Sequence, residues 1–430
     1  MTDTLPVEDT RGTEALNAEV PSTEVLSADV LILGGGLVGA TLALALDAHG
    51  LTSLVVDPAD PEAVLAPGFD GRASAIASAS GRMLDAIGLT PRLVGLGCPI
   101  RAIRVSDGLK PGRIDFVPDD AQNGGEPLGV MYENRLLRRA LHAALNEADG
   151  VTRVRATAAT ERGPHGVEAK LSDGRTARAS LLVAAEGRHS PTREAAGIPV
   201  ARWSYDHSAI VGAFHHQRPH DRVAYEVFYP SGPFALLPLV DDEEGHRSAI
   251  VWTVRARDAV GMAKLGDRAF LAEAEKRMGG FLGPLSAASP RAVYSLGFHH
   301  AARITADRLA LVGDAAHGIH LIAGQGLNLG LRDVAALAEV LVEGRRLGLE
   351  PGDAAVLARY QRWRALDTFA IAAATDGLAR LFGVPGAAAS AVRRFGLSAV
   401  NAVPALKNAF MAEARGTSGD LPRLLTGALA

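Results

Sequence analysis

The chain has almost no cysteine. Cys98 is the single one in 430 residues. That excludes an intrachain disulfide and a cysteine-ligated zinc or iron–sulfur centre, and it points to a reducing compartment. Positive charge is not in excess either. The 44 basic side chains stand against 48 acidic ones, a net charge of −4, so no nucleic-acid partner is expected. No uncharged apolar run reaches the ~20 residues a spanning helix needs. The first 27 residues have no apolar segment and carry Asp3, Glu8, Asp9, Glu14, Glu19 and Glu24 against Arg11. They read as a disordered tail, residues 1–27, rather than a secretory signal. There is no internal repeat. What is present is ordinary for a globular protein: 48% hydrophobic and 21% charged residues, with length for two or three domains. The expected setting is cytoplasmic, either soluble or peripheral at the inner face of a membrane.

Three stretches carry chemistry. In the first, the apolar run Asp29–Leu33 meets Gly34-Gly35-Gly36-Leu37-Val38-Gly39. A helix to about His49 follows, then the strand-like Leu54-Val55-Val56-Asp57. Strand, G-x-G-x-x-G, helix, strand and acid form the dinucleotide-binding fingerprint in its required context. Gly34 makes the tight turn, Gly36 admits a pyrophosphate to the helix N-terminus, and Gly39 lets helix and strand pack closely. Asp57 is placed to bond a ribose hydroxyl. An acid there favours an unphosphorylated ribose, as in NAD or the adenosine half of FAD.

In the second stretch, the buried strand Ser180–Ala185 runs into Glu186-Gly187-Arg188-His189-Ser190-Pro191-Thr192-Arg193. The third is LVGDAAHGIHLIAGQGLNLGLRD, residues 311–333. An apolar strand ends at Gly313-Asp314, and the loop Ala323-Gly324-Gln325-Gly326 delivers the chain into a helix opening near Leu327 and running to about Gly344. Gly324 and Gly326 let backbone approach a ligand, and the positive helix end suits an anion. Asp314 puts a carboxylate beside that point.

Elsewhere, Phe69–Gly71 is a turn, with Arg72 able to reach a pyrophosphate bidentately, and a helix is expected over Ala75–Ile87. An amphipathic helix is expected over Tyr132–Glu147. From Ala209 to about Leu296, strand-like runs interrupted by a helix at Asp267–Met278 suggest a largely antiparallel sheet, a natural wall for a substrate pocket. Residues beyond Glu350 read as helical, ending in a Gly/Ala-rich tail dotted with Arg and Lys.

The motifs at 34–39, 186–193 and 313–333 together resemble those of the class A flavoprotein aromatic hydroxylases. The Asp70–Arg72 pair, the long third motif and the C-terminal RFGLSAVNAVPALKNAFMAEARGTSGDLP are similar to the ubiquinone-biosynthesis hydroxylases. The resemblance implies an α/β protein of p-hydroxybenzoate hydroxylase-like fold. Its Rossmann-like FAD-binding domain would comprise residues 28–97, 131–200 and 297–350. A mostly antiparallel substrate domain would comprise 98–130 and 201–296, with a C-terminal helical region at 351–430.

It further implies that Gly34, Gly36, Leu37, Val38, Gly39 and Asp57 hold the ADP half of FAD and that Asp314, beside Gly313, bonds the ribityl chain. The backbone of Gly324, Gln325, Gly326, Leu327 and Asn328 would face the flavin pyrimidine edge, and Arg72 and Asn134 would touch FAD. Glu186, Gly187, Ser190 and Arg193 would serve FAD and NAD(P)H. Two positions depart from the family: Glu186 stands where Asp is usual, and Leu321 where Pro is usual.

The reaction implied is NAD(P)H- and O2-dependent hydroxylation of a prenylated phenol through a C4a-hydroperoxyflavin, with the cofactor carrying the chemistry. No metal site is expected. No catalytic base is assigned. His317 and His320 flank the expected flavin site; they read first as loop histidines bonded to backbone, and second as weak candidates for polarising the substrate. Two other readings stand: a hydroxylase of a small soluble aromatic, which an Arg such as Arg218, Arg222 or Arg255 placed for a carboxylate would favour, and a low-turnover flavin-binding scaffold in a biosynthetic complex. The apolar, basic C-terminal tail suits a membrane contact, packing on the FAD domain, or a homo-oligomer interface.

Overall fold

Runs of Val, Leu and Ile with no polar alternation form strands buried on both faces. The computed structural model describes residues 24–66, 68–109, 113–118, 125–318, 325–365 and 403–430. Val30, Leu31, Ile32 and Leu33 are at most 6% exposed. Their strand, Val25–Leu33, lies parallel to Thr176–Ala184 on one side and to Ser53–Val56 on the other. Among the described residues the sheet has eight strands. Its main path runs Thr305–Ala306, Leu309–Leu311, Thr176–Ala184, Val25–Leu33, Ser53–Val56, Val151–Val154. Helices Leu37–Asp47, Asn134–Glu147 and Gln325–Arg346 pack in the same core.

The first strand begins at Val25, not at Asp29, so Val25, Leu26 and Ser27 are not part of a disordered tail. They pair with Thr176, Ala177 and Arg178 on a partner strand long enough to extend the ladder past the buried run. Residues 1–23 of the expected tail, and residues 366–402, lie outside the described residues.

A three-stranded antiparallel sheet orders Ala73–Ala77, Gly129–Glu133 and Gly97–Ile100. Ala75–Ala77 are therefore strand, where a helix was expected. The helix starts at Ser78 and runs to Ala86. Alanine's helix preference yields to pairing because Gly129 allows close approach: a Cβ there would stand 2.5 Å from the Ile76 carbonyl oxygen.

The nine-stranded sheet joins Ala102–Asp107 and Arg113–Phe116 to the strands between Val200 and Ala301, with His317–Gly318 at its edge. Its pairs are antiparallel except Val223–Tyr229 against Ala102–Asp107. Helix Asp267–Met278 covers one face, packing Phe270, Ala274 and Met278 on Phe214, Phe234 and Trp252. A second helix, Ala256–Ala263, was not foreseen; it is short and carries Gly261, so its apolar period is weak.

Candidate active site

The three glycines of the first motif divide the work. Gly34 adopts φ +101°, and a Cβ on it would lie 2.5 Å from the Ala185 carbonyl oxygen. Gly39 is tighter: its Cβ would be 1.9 Å from the Gly34 oxygen and 3.2 Å from the Ala185 Cβ. Gly36 is the opposite case, with nothing within 4 Å of a Cβ. It caps helix Leu37–Asp47 without any side-chain acceptor for the first amides. A helix N-terminus with free N–H groups, half a positive charge and open space in front suits a phosphate. Asp57 completes the loop: its Oδ2 accepts from the Gly35 N–H at 2.5 Å and its Oδ1 from the Ala59 N–H at 2.7 Å.

The second motif lies against the first through Ala185. Gly187 takes φ +81°. Glu186 Oε2 accepts from Ser190 Oγ–H at 2.6 Å and from the Thr192 N–H at 3.3 Å. Ser190 Oγ in turn accepts from the Arg193 N–H at 3.1 Å. Arg193 is fully buried and ties this motif to the third: its Nη1 donates to the carbonyls of Arg188 at 3.0 Å and Ala315 at 3.1 Å. Its Nε and Nη2 are buried with no hydrogen-bond acceptor among the described residues.

The third motif sits on both. Val38 fills the gap between Gly313 (φ +58°) and Gly330, where Cβ atoms would approach its side chain to 3.2 and 2.9 Å. The Asp314 carboxylate is exposed to solvent but set deep among protein atoms. Burial pushes its pKa up, with His317 and Arg188 opposing. No hydrogen-bond donor reaches it among the described residues. Leu327 packs against the core, and helix Gln325–Arg346 begins at the expected loop. Gly324, Leu321 and His320 lie outside the described residues.

The remaining cofactor candidates are linked through strand Ala73–Ala77. Asn328 donates from Nδ2 to the Ala75 carbonyl at 2.8 Å and accepts at Oδ1 from the Ala77 N–H at 2.9 Å. Asn134 Oδ1 accepts from Ser74 Oγ–H at 2.7 Å, and the Asn134 N–H donates to the Arg72 carbonyl at 2.9 Å. The Arg72 guanidinium turns onto Asp70, its Nη2 at 3.0 Å, and Arg138 shares that carboxylate at 2.7 Å.

His317 is not a loop residue facing a substrate. It is 2% exposed, on strand His317–Gly318, and its Nε2 bonds Asp333 Oδ2 at 2.6 Å. Asp333, fully buried, also accepts from the Gly313 N–H at 2.9 Å and from Arg364 Nε at 2.7 Å. Burial alone would raise its pKa; His317 and Arg364 outweigh that and hold it below the usual value. Tyr360, on the same helical segment as Arg364, donates to the Leu311 carbonyl at 2.8 Å.

This cluster holds the Gly313–Asp314 turn, and the sequence reading gave it no role. Nor did that reading use His299, whose Nε2–H donates to the Asp314 carbonyl at 2.8 Å. A Cβ on Gly318 would run into its ring at 2.2 Å. The visible signals were Asp333 at the end of the motif and the two histidines opposite it on a strand.

Burial lowers the His299 pKa to about 4. In the unfolded chain a histidine titrates near 6.5. The stability contributed by the buried neutral ring is therefore fully present above about pH 6.5 and is lost as pH falls from there toward 4. Thermal unfolding followed from pH 7.5 to 4.5 should show this loss, and His299→Gln should flatten the slope. An identical slope in that variant would remove His299 as the cause.

A family model described as FAD binding domain matches residues 27–370. The chain is 47% identical over 405 residues to the ubiquinone hydroxylase UbiL of Rhodospirillum rubrum, covering 93% of each. It is 35% identical over 357 residues to 3-demethoxyubiquinol 3-hydroxylase of Escherichia coli, 81% of this chain and 88% of that one. Its fold is like that of p-nitrophenol 4-monooxygenase PnpA from Pseudomonas putida DLL-E4. The TM-score is 0.73 at 17% identity, over 93% of this chain and 100% of that one.

A parallel sheet carrying three converging loops, beside a broad antiparallel sheet, defines a flavoprotein monooxygenase of p-hydroxybenzoate hydroxylase-like fold that uses FAD and NAD(P)H. The chain belongs to the FAD binding domain family.

Proposed function

We propose that this monooxygenase hydroxylates the ring of a prenylated phenol intermediate of ubiquinone biosynthesis. The near full-length likeness to a ubiquinone hydroxylase carries this reading, and the convergence of the three motifs supports it. In this reading Gly34, Gly36, Leu37, Val38, Gly39 and Asp57 hold the ADP half of FAD. Gly313 and Asp314 meet the ribityl chain, and the helix opening at Gln325, with Gly326, Leu327 and Asn328, meets the flavin ring. Arg72, Asn134, Glu186, Gly187, Ser190 and Arg193 complete the cofactor cradle. The open space before Gly36 and the unpartnered Asp314 carboxylate fit such a ligand.

When bound, FAD supplies reduction by NAD(P)H and transfer of one oxygen atom from O2. The chain supplies position, exclusion of water and a helix end that favours negative charge. His317 acts through Asp333 as a positioning residue. The parallel-sheet segments form the FAD-binding domain and the nine-stranded sheet the wall of the substrate site. No helix of the described residues is long and apolar enough to cross a membrane. Leu406 and Phe410 are exposed on helix Pro404–Ala414, which supports a peripheral contact with the membrane that holds a prenylated substrate.

A small aromatic acid as substrate has less support. Arg218, Arg222 and Arg255 are all on the surface, where none is a buried carboxylate clamp.

The test is a lipid-extract mass spectrum from aerobically grown cells lacking the protein. Ubiquinone should fall and a prenylated precursor short of one hydroxyl-derived group should accumulate. An unchanged quinone pool, in a strain without a redundant hydroxylase, would remove the reading. NAD(P)H oxidation stimulated by a phenol separates an enzyme from a scaffold.

A further inference from the structure

Glu226 sits in the middle of strand Val223–Tyr229. Tyr225, Val227 and Tyr229 pack on the helix-covered side with Phe234, Trp252 and Phe270. Alternation puts Ala224, Glu226 and Phe228 on the opposite side. Directly across the ladders Glu226 meets Val105 and Ala235. The row continues from Ala235 to Val251, then Val211, then Ala292. Beyond Val105 the row ends at Ile114, so one carboxylate stands in a row crossing seven strands whose other members are alanine, valine and isoleucine.

That face looks toward the cofactor motifs on both flanks. On one, Ala213, Ala224 and Ala249 pack with Met131, Ala73 and Ala75, and Ala75 belongs to the strand that Asn328 clasps. On the other, the alternation that places Ala292 in the row also places Leu296 and Phe298 on its side, and Phe298 packs against Leu329 of the long helix. Between these flanks Glu226 is partly accessible yet set deep in protein.

Among the described residues nothing donates a hydrogen bond to it or pairs with its charge. Desolvation alone pushes its carboxyl up to about 7. Other ionisable groups on the face are Asp107, opposite Phe228; Arg247, paired with Glu133 and Asp242; His215, opposite Arg247 and bonded to Asp242; Tyr294 and His300 on strand Ala292–Ala301; and, at the strand ends, Arg255 opposite His207. The covering loop carries Asp70 and Arg72, bonded to each other. A carboxylate set deep in protein, with no donor or counter-charge beside it, is poorly solvated and therefore costly even where it is partly accessible. On a small-residue wall that faces a cofactor site, a ligand group is the partner that would remove the cost.

We propose that Glu226 receives the ring hydroxyl of the substrate, its carboxylate accepting the phenolic O–H and taking that proton as the ring is oxygenated. The phenol O–H bond breaks, a carboxyl O–H bond forms, and the electron pair stays on the phenolate oxygen, which makes the ring more nucleophilic. This rests on the phenol reading above. A carboxyl titrating near working pH suits a general base.

The experiment uses the FAD-loaded protein, a water-soluble 2-prenylphenol and its methyl ether, which lacks the donor. Binding of each is followed by calorimetry and by perturbation of the flavin spectrum between pH 5.5 and 8.5. The wild type should bind the phenol about tenfold or more tightly than the ether, with the preference growing as pH rises through about 7. Glu226→Leu, which removes the acceptor, should keep its FAD and its affinity for the ether, and lose both the preference and its pH dependence.

A Leu variant that holds FAD and keeps the wild-type preference would overturn the proposal while leaving the phenol reading intact. So would a wild-type preference that does not change with pH, a measurement that needs no variant. If the wild type answers to neither probe and no phenol stimulates NAD(P)H oxidation, the phenol reading and the proposal fail together.

Discussion

Asp333→Ala is expected to lower stability by ~3–5 kcal/mol, the range for removing one partner of a buried charged pair, and to leave a protein that does not retain FAD. Asp333 accepts at Oδ2 from His317 and from the Gly313 N–H, and at Oδ1 from Arg364. Its loss takes the acceptor from all three and frees the turn that presents Asp314. His317→Asn should cost less, because Arg364 and Gly313 keep their bonds to Asp333.

The pH dependence has a definite sign. The folded-state pKa of Asp333 lies below the ordinary value of 3.8, so its contribution is fully present above about pH 4 and is lost as pH falls through the lower folded value. Thermal unfolding and flavin content after gel filtration check both points. A D333A protein with wild-type midpoint and full flavin would show that the cluster does not hold the site.

Gly36→Val and Gly39→Val should fail for different reasons. At Gly39 a Cβ would overlap the Gly34 carbonyl oxygen at 1.9 Å, so the strand and helix must separate, and the apoprotein itself should be destabilised. At Gly36 a Cβ meets nothing. That variant should fold with an unchanged thermal midpoint and lose FAD affinity by about 100-fold, ~2.7 kcal/mol, because the side chain takes the space a pyrophosphate needs. FAD titration by fluorescence quenching, beside a melt of each apoprotein, separates the two. Wild-type FAD affinity in G36V would show that the pyrophosphate lies elsewhere.

The first motif was legible because its chemistry is local. Strand, glycine spacing, helix and Asp57 fall within 30 residues, and each glycine's role follows from geometry inside or next to that unit. The start and length of the long helix were legible from its apolar period, as was the antiparallel texture between Ala209 and Leu296. The strand Ala73–Ala77 was not. Its composition favours a helix, and only pairing with Gly129–Glu133 decides otherwise. Residue type left Arg72 open between a pyrophosphate contact and a surface arginine; its guanidinium engages Asp70, a contact that depends on how the turn closes.

His317 shows the limit more sharply. Proximity in sequence to the flavin loop suggested a role on the substrate. Strand pairing with His300 turns its ring inward instead, onto Asp333. Glu226 is the converse. In the sequence it is one acid in a strand, with nothing to mark it. It becomes conspicuous only when the register of seven strands surrounds it with alanine, valine and isoleucine.

By itself, the order of residues determined the elements and the nucleotide-binding turn, since backbone freedom at glycine, apolar periodicity and helix-end electrostatics act over a few residues. Which buried charges meet, and which is left without a partner, was decided by the tertiary structure alone. Those outcomes depend on sheet register and on contacts between residues far apart in the chain, such as Arg193 with Ala315 and Asn328 with Ala75, and no local pattern encodes them.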